Sequence, residues 1–298
     1  MYSAAAVVDA FGGVARRDQI LAAGLSGTDI TAAVRHGELR RVRRAHYARP
    51  GAAADAVAAT RVGGRLGGVS AARTYGIWSG FDDRCHVVVP TNASRLRVIR
   101  GNPATTPDVG DRHVVVHWQD VEPSRECWRV GLADTLRQVV AWSDQETAMA
   151  ALDTALDRGL VSEAWLARKF ADEPAASRLR AAAARPGSGS GYESIVVRRL
   201  RAHGLRVRQQ VAVPGVGRID AEVEGFLFLE IDGSEFHDTP RARDADAIRD
   251  AGLVAHGRPV IRLRTRRIRD DWPGCLADIL SAVAHRPRTL PDFRTPRG

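Results

Sequence analysis

"RIDAEVEGFLFLEIDGSEFH", residues 218–237, sets the architecture of the C-terminal third. It reads as two strands, 217–224 and 226–232, joined at Glu224-Gly225. The second strand is almost wholly apolar, yet it runs into Glu230, Asp232 and then His237, while Asp220 stands on the first. A period of two puts Glu230 and Asp232 on one face and Leu227, Leu229 and Ile231 on the other. Carboxylates gathered at one end of an apolar hairpin form either a solvated rim with arginine partners, Arg218 or Arg262, or the donors of a cation site. The loop separates two geometries. An odd loop sets Asp220 opposite Glu230, with Cβ atoms about 5 Å apart, and carboxylates that close repel unless a cation lies between them. A two-residue loop sets Asp220 against Leu229 and splits the pair.

On either side of this hairpin, "YESIVVRRLRAHG" (192–204) predicts a helix ended by Gly204, and "LRVRQQVAV" (205–213) a strand. "TPRARDADAIRDAGLVAHG" (239–257) predicts a helix with Pro240 near its start. "PVIRLR" (259–264) predicts another strand, and 272–285 a last helix. The order is α-β-β-β-α-β-α. On the first helix Glu193 shares a face with Val196, Val197 and Leu200, at i, i+3, i+4 and i+7. An acid on that stripe is expected to point at something positive. Hard oxygen donors suit Mg²⁺ or Mn²⁺, and such an ion promotes phosphodiester hydrolysis.

The N-terminal fifty residues have a different plan. A short helix over 16–23 stops at Gly24, a second runs from Ser26 or Thr28 to about Arg35, and "LRRVRRAHYA" (39–48) forms a hairpin. Helix, turn, helix and basic hairpin make a winged helix-turn-helix, whose second helix enters the major groove while the hairpin runs along phosphates. Eight arginines face four acids in this stretch. Arg35, Arg40, Arg41, Arg43 and Arg44 are its candidate DNA contacts, and Arg249 and Arg262 those of the C-terminal part.

The middle of the chain shows a helix start at 67–78, buried strands at 84–90 and 112–118, and amphipathic helices over 130–142 and 146–170. His86, His113 and His117 lie there, on strands where histidines are mostly structural. "RPGSGSG" (185–191) has the composition of a flexible linker. The expected domains are a winged-helix domain over 1–50, an α+β middle domain over 51–184, a linker over 185–191 and an α/β domain over 192–298.

Charge and cysteines bound the class. The net charge is +9, carried almost wholly by arginine, since Lys169 is the only lysine. That excess points to an anionic partner, with DNA first. Cys85, Cys127 and Cys275 are far apart, which fits a reducing cytosol and excludes a cysteine zinc site. No stretch approaches 18 apolar residues, so a soluble cytoplasmic protein is expected, with no membrane and no small-molecule cofactor.

Asp220, Glu230-Ile231-Asp232-Gly233, His237, "DAIRDAGL" (246–253) and "VIRL" (260–263) together resemble the DUF559 group of restriction-endonuclease-like domains, relatives of the very-short-patch-repair endonucleases in the PD-(D/E)XK superfamily. The resemblance covers about 192–285. It implies that Asp220 is the central metal ligand, that Glu230 or the backbone carbonyl of Ile231 completes the site, that His237 serves acid/base chemistry, and that Glu193 is the helix acid. The superfamily's E-x-K lysine is absent, because Asp232 comes directly after Glu230-Ile231. Arginine cannot replace it as a proton acceptor, so His237 or a metal-bound hydroxide would supply the base.

"GGVARRDQILAAGLS…ITAAVRHGELRRVRRAHYA" resembles the winged-helix domain of AbiEi-type antitoxins of toxin–antitoxin systems, and "SAARTYGIW" and "VGLADTLRQVVAW" the segment next to it in that family. That likeness implies DNA binding and transcriptional regulation. The sequence thus predicts a metal-dependent DNA endonuclease targeted by a winged helix, with Asp220, Glu230, Asp232, His237 and Glu193 in the catalytic set. The alternative is an antitoxin-like DNA-binding regulator with an inactive nuclease-like domain and a cognate toxin as partner.

Overall fold

A computed structural model of the chain describes residues 3–94, 96, 114–232, 252–253 and 256–286. It mixes helices and sheets in two compact units. The first comprises Met1–Ala151 and Ala167–Arg180, and the second Leu152–Leu166 and Ala181–Gly298.

The first unit begins with α1 (Ala4–Ala10), β1 (Val14–Arg16), α2 (Arg17–Ala22), α3 (Gly27–Arg35), β2 (Arg40–Arg43) and β3 (His46–Ala48). These strands form an antiparallel sheet in the order β1-β3-β2. Ser26 starts α3 through a reciprocal cap: its Oγ accepts from the Asp29 amide at 3.2 Å, and the Asp29 carboxylate accepts from the Ser26 amide at 2.8 Å. Val8, Ile20, Ile30 and Leu39 are buried between the helices and the sheet. Ala45 turns the hairpin at φ +60°.

The chain continues through α4 (Ala54–Val62), β4 (Arg65–Leu66), α5 (Gly68–Thr74), β5 (Cys85–Val89), β6 (Val114–Trp118), α6 (Leu132–Trp142), α7 (Gln145–Asp157), α8 (Glu163–Lys169) and α9 (Ala175–Ala183). β5 pairs antiparallel with β4 and parallel with β6. The helix expected over 146–170 is two helices, because Gly159 adopts φ +65° between them.

A freestanding domain ending at residue 50 does not form. Val14, Val42 and Ala48 join one apolar cluster with Ala56, Val57, Val87 and Val130, and the Trp128 indole donates to the Phe11 carbonyl at 2.7 Å. The apolar face of the small sheet is covered by α4, β5 and the segment around Trp128.

The second unit holds α10 (Gly191–Ala202), β7 (Val207–Val213), β8 (Gly217–Val223), β9 (Leu227–Asp232), β10 (Val260–Arg264), α11 (Thr265–Asp270) and α12 (Trp272–Ala284). The sheet order is β10-β9-β8-β7, antiparallel except for the parallel pair β9–β10. Val196, Val197 and Leu200 of α10 pack with Leu227, Leu229 and Leu263 on one face, and Val213, Ile219, Phe228 and Leu253 pack on the other. Of the helix expected over 239–257, only 252–253 and 256–257 are described.

The segment 185–191 has a linker's composition but not its behaviour. Its Arg185 and Gly187 amides donate to Asp153 at 2.8 Å and Asp157 at 3.1 Å. Ser188 is buried and accepts from Gln209 Nε2 at 2.6 Å. With partners for its polar groups, the glycine-serine run is part of the second unit. Cys85, Cys127 and Cys275 are buried and unbridged. No helix among the described residues is long and apolar enough to cross a membrane.

Candidate functional site

The site is built around the start of α10. Ser190 caps that helix, its Oγ accepting from the Glu193 amide at 3.2 Å. Glu193 is therefore fixed in the first turn and is buried. Its Oε2 accepts from the Gly189 amide at 2.9 Å and from Gln210 Nε2 at 2.6 Å. Burial, and then the neighbouring Asp220 charge, push the Glu193 carboxyl above the usual range, although these hydrogen bonds pull it back.

Gln210 carries this arrangement through its backbone. It is non-glycine at φ +51°, a conformation that costs about 1 kcal/mol or more. The β7–β8 ladder pairs Gln209 with Ala221 and Val211 with Ile219, which leaves Gln210 across from Asp220. The pleat reverses there. Val207, Ala221 and Val223 pack under α10, whereas Val211, Val213 and Ile219 pack on the opposite face. Asp220 thus sits where strict alternation breaks, and its Oδ2 accepts from the Ile231 amide at 2.7 Å.

The hairpin has the odd loop. Val223 pairs with Leu227 across Glu224, Gly225 and Phe226, with Glu224 at φ +51° and Gly225 at φ +75°. One further step of that register would oppose Asp220 and Glu230, but the ladder ends at Ala221 and Leu229.

Glu230 keeps to the sheet alternation and lies on the other face, that of Phe228. It is buried and accepts from Arg262 Nε at 2.9 Å, Arg262 being its register partner on β10. Glu230 therefore has the Arg262 guanidinium beside it, one of the two arginine partners expected, but as a buried pair and not on a solvated rim. Arg262, expected on DNA, has Glu230 as a partner. Asp232 is half-buried at the end of β9, in register with Arg264. His237 and Arg249 lie outside the described residues. The structure thus brings Glu193, Asp220 and the Ile231 amide together.

Sequence reading passed over Glu222 and Gln210. Glu222 is buried and accepts from Arg208 at 3.0 Å and Arg258 at 2.5 Å. An acid inside Ala221-Glu222-Val223 was a visible signal for it. Gln210 left none, because a left-handed glutamine in a strand has no composition signature.

In the first unit, Arg35, Arg41 and Arg44 are exposed, while Arg40 and Arg43 are half-buried. The histidines form a relay: His86 Nδ1 and His117 Nε2 lie 3.0 Å apart, and His86 Nε2 lies 3.1 Å from Asp82. Arg84, and to a lesser degree His86, hold the Asp82 carboxyl far below the usual range. His117 stacks on Trp142 at 3.8 Å, and burial, then the His86 and Arg84 charges, lower its pKa. His113 lies outside the described residues.

No group of three or more His, Cys, Asp or Glu side chains is gathered for a metal among the described residues. No protein-family model matches the chain, and no curated protein matches it.

Proposed function

We propose that the chain is a metal-dependent DNA endonuclease, with a winged helix over its first fifty residues and a restriction-endonuclease-like core around β7–β10. The observation that carries the reading is the juxtaposition of Glu193 and Asp220 at the broken step of the β7–β8 ladder. One acid is buried with a raised pKa, and the other is its principal charged neighbour. A buried carboxylate whose pKa is raised by a half-buried carboxylate beside it gains from a cation between the two.

The donor chemistry fits Mg²⁺ or Mn²⁺, with Glu193, Asp220 and the main chain at Ile231 as the residues that would hold it. Glu230 belongs to the supporting network instead, since Arg262 already balances its charge. When bound, the ion supplies positive charge against the phosphodiester oxygens. The chain's own groups do the rest. Gln210 orients Glu193, the Ile231 amide orients Asp220, and His237 takes the proton-transfer role left open by the missing lysine. Exposed Arg35, Arg41 and Arg44 suit contact with DNA phosphates.

Nicking of supercoiled plasmid with Mg²⁺ or Mn²⁺ tests this, comparing the unaltered chain with Asp220→Ala and Glu193→Gln. The expectation is nicking that both substitutions abolish. The Glu230–Arg262 pair and the absent lysine favour a second reading, a DNA-binding regulator with an inactive core and a toxin partner. Absence of nicking alongside intact DNA binding would select it.

A further inference from the structure

A second place in the molecule has the features of a ligand site, and it lies wholly within the first unit. A cavity of about 330 Å³ opens between the β2–β3 hairpin, the end of α4 and the end of β5. Arg16, Arg43, Arg65 and His46 all line it, from β1, β2, β4 and β3 respectively. Asp120 is the one acid in the lining, and it is engaged with Thr91 through Oγ1 at 2.7 Å and the amide at 3.2 Å. Arg16 is already paired with Asp18 at 2.9 Å, which leaves Arg43 and Arg65 against the one aspartate of the lining.

The packing holds those cations in place. The Arg43 guanidinium lies directly on Gly63, where any Cβ would overlap it. Gly63 also needs its left-handed φ of +102° to end α4. A Cβ on Gly64 would strike the Val88 carbonyl, so the floor of the cavity is glycine on both counts. The Arg65 guanidinium is held by the Glu122 carbonyl at 3.3 Å. His46 Nδ1 faces the Arg44 carbonyl at 3.0 Å, which makes Nδ1 the protonated nitrogen and leaves Nε2 as the other polar atom of the ring. Cys127 also lines the cavity: burial pushes its thiol up to about 11, against the nearby Arg16 and Arg65 charges. Val88, Val89, Pro90 and Val121 supply an apolar wall.

We infer that this cavity binds a small organic phosphate, its phosphoryl oxygens against Arg43 and Arg65 and its organic part against the β5 wall. Guanidinium forks match phosphate oxygens, and the volume falls at the lower end for small-molecule sites. Arg43 and His46 belong to the hairpin proposed to run along DNA, so occupancy reaches that hairpin directly. This site is independent of the Glu193–Asp220 reading and stands if that reading fails.

The test is calorimetric titration of the full chain with inorganic phosphate and with a 5′-mononucleotide, at constant ionic strength set with chloride. Arg43→Gln, Arg65→Gln and the exposed control Arg158→Gln are compared, each checked for fold by circular dichroism. The expected result is saturable binding, tighter for the mononucleotide, and weakened at least tenfold by Arg43→Gln and by Arg65→Gln. The control should leave it unchanged. Should one cavity variant fail to fold, the other gives the result. Absent binding, equal binding by all four proteins, or full displacement of the mononucleotide by duplex DNA in proportion to occupancy would overturn the inference. The last outcome would make the cavity a seat for the DNA backbone.

Discussion

Replacing Asp153 should loosen the helix that carries Glu193. Asp153 lies in the part of α7 that belongs to the second unit, and it is 3% exposed. Its Oδ1 accepts from Arg198 Nη2 at 2.7 Å and the Arg185 amide at 2.8 Å. Its Oδ2 accepts from Arg198 Nε at 2.8 Å and Ser194 Oγ at 2.5 Å. Asp153→Ala strands the buried Ser194 hydroxyl and the Arg185 amide, at about 1 kcal/mol each. It also removes a bidentate ion pair. Because the Arg198 side chain is 31% exposed, water recovers part of that loss, leaving about 1 kcal/mol more. The sum is about 3 kcal/mol, or roughly 5 °C in Tm for a chain of 298 residues. Asp153→Asn keeps the volume and one acceptor, and should cost about half as much. Urea unfolding monitored by far-ultraviolet circular dichroism gives the total, and hydrogen exchange of the α10 amides locates it. Asp153→Ala costing under about 1 kcal/mol, or acting additively with Arg198→Ala, would refute this account of the network.

The same geometry sets four further outcomes. At residue 210, glycine should be about 1 kcal/mol more stable than alanine, because only glycine takes φ +51° without strain; equal urea midpoints for the two variants would dismiss that strain. Glu193 has a raised folded pKa, so its contribution is fully present below the ordinary 4.5 and is lost as pH rises through the folded value. Glu193→Gln should therefore flatten the decline in Tm above pH 4.5, and an unchanged slope would assign that decline elsewhere. His117 has the opposite linkage: its pKa lies below 6.5, so stability is lost as pH falls below that value. His117→Phe keeps the stacking surface toward Trp142 and should reduce the drop in Tm between pH 7 and pH 5. Finally, Arg41→Ala with Arg44→Ala should weaken duplex DNA binding and lower its salt slope by about 2, and an unchanged slope would take the hairpin off the phosphates.

Much of the backbone was legible because local rules suffice for it. The Ser26 and Thr28 cap candidates, the glycine stops and the apolar runs predict α3, the β2–β3 hairpin, α10 and β7–β9 to within a residue or two. The alternation in 226–232 also assigns Glu230 to the face away from Leu229. Partner choice was less legible. Arg262 reaches Glu230 only because β10 lies parallel to β9 in one register, and no local pattern fixes that register. The opposed Asp220–Glu230 pair failed for another reason. Gln210 reverses the pleat, and a period of two cannot be carried through such a step. The 185–191 run misled by composition, since glycine and serine also serve where amides must turn toward fixed acceptors, here Asp153, Asp157 and Glu193.

The division of the chain bears on how it can be taken apart or inherited. The covalent path leaves one unit for the other after residues 151, 166 and 180. No single cleavage therefore yields two whole pieces. Truncation before residue 180 leaves the first unit without its closing segment, and a start after 180 leaves the second without residues 152–166. On a ribosome, the first unit waits for residue 180 before all its parts exist. A gene rearrangement that transplanted either unit would need three matched junctions, so the two units are expected to travel together.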